Sequence, residues 1–291
     1  MLQAIYKDIL KKRQYWKEWE EQRDAKFVFP DSVLYLPDVR IGDGEFDWVD
    51  VYRPKESGGA LPVAVNIHGG GLVMGTKHQN LGLCMFLAER GFLVLAVEYP
   101  LVPEVTVYEQ LRVMARVLDL LGTVIAEHGG DPGRISLTGD SAGAFLALYT
   151  AAIQKSRAIS QAAGVEPCTL PIQRLGLSSG LFYSTRVESN GIFLLRNSFF
   201  GKGWRKQDFA QYLNPEHEEL LEALPPCFLS TSEGDFLKSH TLRFAKALAR
   251  HGKEHVLWKV PDKVEHAFNA LYPEWEASRA TNEAMISFLR E

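Results

Sequence analysis

The sequence predicts one α/β domain built on a mainly parallel sheet of about eight strands with helices on both faces. Three observations point there. Short apolar runs alternate with longer helical stretches, the pattern of repeated βαβ units. No internal repeat, low-complexity tract or linker rich in Pro, Gly or Ser divides the 291 residues. The chain is 46% hydrophobic and 23% charged, enough apolar material for a sizeable core and too much for disorder.

Residues 2–25 are dense in Lys, Glu, Gln and Trp and hold no Pro or Gly, so they read as one charged amphipathic helix. Its expected apolar contacts are Tyr6, Ile9, Leu10, Tyr15 and Trp16. Spacing alone favours a solvated helix lying on the body of the protein over part of a lid. Strands are expected at 33–36 and 46–52, around the turn Gly42-Asp43-Gly44, and then at 63–67. A helix at 83–90 ends at Gly91 and leads to a strand at 92–97. Residues 107–127 place Leu111, Met114, Leu118 and Leu121 on one helical face and stop at Gly129-Gly130-Asp131-Pro132. A strand at 134–138 precedes a helix at 142–156. Later strands are expected at 174–178, 227–231 and 256–260, and later helices at 237–251 and 277–290. Residues 180–215 break this rhythm. They hold Phe182, Tyr183, Phe193, Phe199, Phe200 and Trp204 among polar residues and read as an inserted cap.

Composition excludes several functions. Lys plus Arg is 32 and Asp plus Glu is 36, so the formal net charge of -4 offers no basic excess for nucleic acid. No run of about 18 or more apolar residues could span a membrane. The polar first 13 residues lack the apolar segment of a signal peptide. Cys84, Cys168 and Cys227 have no CxxC spacing and read as reduced thiols of a cytoplasmic protein. No Cys/His cluster has metal-ligand spacing, and no metal or other cofactor is expected.

One segment carries chemistry. Gly139-Asp140-Ser141-Ala142-Gly143 is a G-x-S-x-G motif set between an expected strand and an expected helix. A tight strand-to-helix turn needs small flanking residues, because a Cβ there would clash as the chain reverses. Such a turn holds the Ser141 hydroxyl at the C-terminal edge of the sheet and at the positive end of a helix. The bland alternative is a glycine-rich helix start capped by serine. Gly176-Leu177-Ser178-Ser179-Gly180 also matches, but no long helix is expected after it. Ser178 and Ser179 therefore read as strand-end residues near a pocket rim. After the strand at 63–67, His68-Gly69-Gly70-Gly71 leaves backbone N–H groups unshielded. With the N–H of Ala142, such donors suit the oxyanion of a tetrahedral intermediate. The loop has neither the Gly-Lys-Ser/Thr ending of a P-loop nor a dinucleotide fingerprint.

A nucleophilic serine needs a base, and the base needs an orienting carboxylate. Around this motif the expected chain order is Ser, acid, His. His217 comes too early, His240 sits in an expected helix, and His251 and His255 lie at the wrong end of the strand at 256–260. Only His266 follows that strand's C-terminal end. Asp235 lies just past the strand at 227–231, with Glu233 on the same loop as the fallback. Asp262 is too local to His266 to orient it from behind. Asp235 could also be a plain helix N-cap. Ligands of open parallel sheets sit outside the carboxyl ends of the strands, so Ser141, Asp235 and His266 converge on one site by topology.

These residues also carry a family likeness. His68-Gly69-Gly70-Gly71, Gly130-Asp131-Pro132, the Ser141 motif, Asp235-Phe236-Leu237 and His266-Ala267-Phe268 resemble the α/β-hydrolase fold. More narrowly they resemble the hormone-sensitive-lipase-like esterases, whose Tyr-Arg-Leu-Ala-Pro-Glu segment is similar to Tyr99-Pro100-Leu101-Val102-Pro103-Glu104. The likeness runs over roughly residues 60–290. It implies Ser141 as nucleophile, Asp235 and His266 as its partners, and Gly70, Gly71 and Ala142 as oxyanion donors. It implies a cap from about 1–30 and about 180–215 on a single domain, which reverses the reading of the N-terminal helix. Three departures stand out: Pro100 replaces an arginine, and Ala144 and Ala267 replace glycines. None removes a reacting group.

The expected function is a serine carboxylic-ester hydrolase that works through an acyl-enzyme on small to medium acyl esters. The aromatic cap residues suggest an apolar pocket for them. An amidase or formamidase would use the same machinery. A small-molecule receptor that kept the fold would be expected to lack a triad member, and all three are present. The expected partner is a small-molecule ester, with no nucleic acid and no membrane span. The sequence leaves room for a homo-oligomer.

Overall fold

A computed structural model describes residues 2–186 and 192–291. Strands β1 (Val33–Arg40), β2 (Trp48–Pro54), β3 (Leu61–Ile67), β4 (Leu93–Val97), β5 (Gly130–Asp140), β6 (Ile172–Ser178), β7 (Cys227–Ser232) and β8 (His255–Val260) form one sheet. Their spatial order is β1-β2-β4-β3-β5-β6-β7-β8. β2 pairs antiparallel with β1 and β4, and every other neighbour is parallel. The expected strands all form. β5 begins earlier than expected, because Gly130 already pairs with Leu61 before a register shift. The Gly129-Gly130-Asp131-Pro132 segment thus stops a helix and opens a strand.

The helices are α1 (Leu2–Asp24), α2 (Leu81–Glu89), α3 (Val107–Glu127), α4 (Ala142–Lys155), α5 (Arg157–Ala163), α6 (Arg196–Phe200), α7 (Glu218–Ala223), α8 (Lys238–Arg250), α9 (Phe268–Leu271) and α10 (Glu276–Arg290). α5 is an addition to the expected helices. Ser156 ends α4 and caps the next helix, its hydroxyl accepting from the Ile159 N–H at 3.2 Å.

Side-chain alternation along the strands builds a core on each face. Val63, Val65, Ile67, Leu93, Leu95, Leu175 and Leu177 face α3, α4 and α8. Ala64, Val94, Ala96 and Phe228 face α2 and α10. Both faces are covered, as a parallel sheet requires. No helix among the described residues is long and apolar enough to cross a membrane. The three cysteines are free and buried.

α1 departs from its expected packing. Ile9 is buried, but Tyr6, Leu10 and Tyr15 are 39%, 43% and 65% exposed. The side turned to the body carries polar anchors instead. Arg13 donates to the Val73 and Val102 carbonyls at 2.6 and 2.9 Å and to Glu104. Glu20 accepts from Thr76, and Arg23 donates to the His78 and Gln79 carbonyls. The helix is pinned by hydrogen bonds to backbone rather than by an apolar stripe.

In the 180–215 region the aromatic residues pack inward. Phe199, Phe200, Trp204 and Phe209 are buried, against Tyr108 and Tyr149 among others. The side chain of Phe193 lies outside the described residues.

Candidate active site

β5 delivers Ser141 beyond the sheet edge. Ser141 has φ of +52°, a left-handed conformation that costs a non-glycine residue about 1–3 kcal/mol. Its N–H donates to the Ser178 carbonyl at 2.8 Å, which continues the ladder one residue past Asp140. α4 then starts at once with Ala142. The reversal leaves no room for side chains. A Cβ at Gly139 would lie 2.6 Å from the Gly143 carbonyl carbon, and one at Gly143 would lie 2.6 Å from the His68 carbonyl oxygen and strike that of Ile67.

His266 follows β8 and Asp235 follows β7. The His266 Nδ1 lies 2.6 Å from the Asp235 Oδ1. The Asp235 carboxylate also accepts from the Leu237 N–H and the Thr231 hydroxyl, each at 2.8 Å. Burial pushes its pKa up, but the His266 contact and these two donors outweigh that and hold it below the ordinary carboxylate value. Ser141, His266, Gly70 and Gly71 line a single cavity of about 470 Å³. α1 contributes Ile9, Lys12 and Trp16 to its wall, and the 192–195 turn contributes Leu194 and Leu195. The buried aromatic residues of the 180–215 region do not line it, contrary to the expectation that they shape the pocket. Ala142 sits at the adjoining helix start and is buried.

The other candidates fall elsewhere. The Glu233 carboxylate is held by Lys238 and Lys259 at 2.7 and 2.5 Å, and these two lysines bring its pKa down to about 2. Asp262 uses its carbonyl to accept the Glu233 N–H. His240 is in α8 against Tyr183, and His217 packs on Tyr212. Ser178 and Ser179 are buried rather than at the rim. The Ser179 hydroxyl accepts from the Ala267 N–H at 3.1 Å.

The glycine loop is braced from beneath by residues to which sequence patterns assign no bracing role. Gly70 has φ of +94°, and a Cβ on it would strike the Met74 carbonyl oxygen. The Tyr99 hydroxyl donates to the His68 and Gly69 carbonyls at 2.8 and 3.0 Å, and its ring stacks on His68. The His68 Nε2 lies 3.1 Å from Glu98. Burial pushes the Glu98 carboxyl up, but His68 more than offsets that and holds it low. At Pro100, where the family resemblance implies arginine, Gln110 bridges the Pro100 and Leu72 carbonyls. Asn80 ties Asp140 to Asn66. Asp140 lines the cavity, and burial raises its pKa. In sequence, Asn80 offers only the signal of a helix start and Glu98 only a charge after a strand.

Asp38, Asp50 and His78 bring possible ligand atoms within 4.8 Å of one another. The Lys77 ammonium contacts both carboxylates, so one of their two negative charges is already offset.

A family model for the alpha/beta hydrolase fold matches residues 64–270. The chain belongs to this family. Among curated relatives, a probable isoprenylcysteine alpha-carbonyl methylesterase of Arabidopsis thaliana is 28% identical over 233 residues, covering 76% of this chain and 47% of the relative. The carboxylic ester hydrolase LipN of Mycobacterium tuberculosis is 27% identical over 265 residues, covering 82% of this chain and 65% of the relative. The chain thus spans about half the length of the plant relative. Among solved structures, esterase B from Lactobacillus rhamnosis superposes with a TM-score of 0.89 at 22% identity, covering 99% of this chain and 95% of that one. This last likeness shows the α/β-hydrolase fold.

Proposed function

We propose that this α/β hydrolase is a serine carboxylic-ester hydrolase with Ser141, His266 and Asp235 as its catalytic residues. One observation carries the reading: a strained serine and an imidazole bound to a buried carboxylate line the same cavity. The ester-hydrolase descriptions of the relatives support it. Ser141 attacks the ester carbonyl as His266 takes its proton. Asp235 accepts the Nδ1–H, fixes the tautomer and balances the imidazolium that forms. The Gly70, Gly71 and Ala142 N–H groups receive the oxyanion. The C–O bond breaks, the alcohol leaves with the proton from His266, and water releases the acid from Ser141 by the same route. The cavity volume suits small to medium acyl groups. In this reading α1 and the 180–215 region form a cap on a single domain, since both contribute residues to the cavity wall.

The test is labelling by a fluorophosphonate probe, read by peptide mapping. The expected adduct is on Ser141, together with turnover of p-nitrophenyl acetate. An unlabelled Ser141 in an active protein would refute the assignment.

A further inference from the structure

The loop that carries Asp235 places a second side chain on His266. Phe236 is 47% exposed, yet its ring lies over the imidazole with centroids 4.0 Å apart and planes 30° apart. It also lines the cavity. Among the described residues, the imidazole is the aromatic neighbour that this half-exposed ring meets. In acyl transfer the imidazole that deprotonates the serine later hands that proton to the leaving oxygen. The leaving alcohol therefore sits beside His266. A ring lying tilted over His266 borders the alcohol portion of the ester.

We propose that Phe236 is a specificity-determining residue on the leaving-group side, favouring esters of flat, aryl-bearing alcohols over those of small alkyl alcohols. The remaining wall is compatible with such a group, since Trp16, Leu194 and Leu271 also line the cavity. The proposal rests on the ester-hydrolase reading above. Stacking between aromatic faces sets the expected size, about three- to tenfold in rate.

The test compares kcat/KM for benzyl acetate and ethyl acetate in the wild type, Phe236→Leu and Phe236→Ala. Both esters share one acyl group and pass through one acetyl-enzyme, so their ratio isolates the alcohol side. The benzyl-to-ethyl ratio is expected to fall about three- to tenfold in Phe236→Ala and less in Phe236→Leu. Phe236→Leu keeps an apolar contact on His266 and guards against a loss that is merely conformational. An unchanged ratio, or a parallel fall for both esters, would overturn the proposal and leave the esterase reading standing. A wild type that cleaves neither ester and takes no fluorophosphonate on Ser141 would overturn both.

Discussion

Gly139-Asp140-Ser141-Ala142-Gly143 and Gly176-Leu177-Ser178-Ser179-Gly180 leave the carboxyl ends of neighbouring strands, with Asp140 beside Ser178 in the ladder. Each turns through positive φ one residue later, at +52° for Ser141 and +50° for Ser179. Each hands its N–H to the next strand over, Ser141 to the Ser178 carbonyl and Ser179 to the Ser230 carbonyl, both at 2.8 Å. There they part. α4 begins directly after Ser141, and Ser141 lines the cavity. Among the described residues no long helix directly follows Ser179. Its hydroxyl accepts from Ala267, while the Ser178 hydroxyl bonds Ser230 and accepts from Asn269. One segment presents a hydroxyl to the cavity, and the other uses two hydroxyls to brace the loop bearing His266. The two motifs share their letters, and the helix after Ser141 is the difference between them.

Exchanging the roles of the two segments by mutation would break this comparison. Ser141→Ala is expected to lower kcat for p-nitrophenyl acetate by about 10⁴-fold or more with the fold intact. Ser178→Ala should stay within about tenfold of the wild type, because it removes bracing and no reacting group. Equal losses in the two variants would erase the distinction. Ser179→Ala should show a loss of similar size to that of Ser178→Ala, about fivefold. Loss of one buried hydrogen bond costs about 1 kcal/mol, and the freed His266 loop should lower kcat more than it raises KM. A pure KM effect would remove Ser179 from the positioning of His266.

Smaller changes sharpen the picture around that loop. Ala267 has φ of +56°, at a position where the family resemblance implies glycine. Ala267→Gly relieves roughly 1 kcal/mol of left-handed strain and gives back part of it as unfolded-state entropy, so a stability gain below about 1 kcal/mol is expected in urea titrations. A loss would show that the methyl packs favourably. The smallest effect is confined to acid. The Asp235 carboxyl is held below its unfolded value of about 3.9, so the folded protein binds fewer protons there. Its contribution to stability is present above that pH and is lost as pH falls through the depressed value. Stability curves of Asp235→Asn should therefore fall less steeply in acid than those of the wild type.

Much of the fold was legible because its signals are short-range. Alternation marks strands, glycines mark the turn at Ser141, and chain order with strand polarity sorts His266 from four other late histidines. α1 was legible as a helix but not in how it lies. Arg13, Glu20 and Arg23 bond groups more than fifty residues away, and a charged side chain reaching a carbonyl leaves no periodic trace. The aromatic residues of 180–215 misled for a related reason, since composition cannot say whether a ring faces a cavity or a core.

By itself, then, the sequence determined the strand and helix order, the tight turn at Ser141, and the set of strand-end loops that could meet. Steric exclusion and side-chain period act within a few residues and need no partner. Only the tertiary structure decided that Phe236 lies on His266, that Ser179 holds Ala267 from 88 residues away, and which face of α1 meets the cavity. Those contacts depend on which strands lie side by side in the sheet, and no local pattern in the chain encodes that neighbourhood.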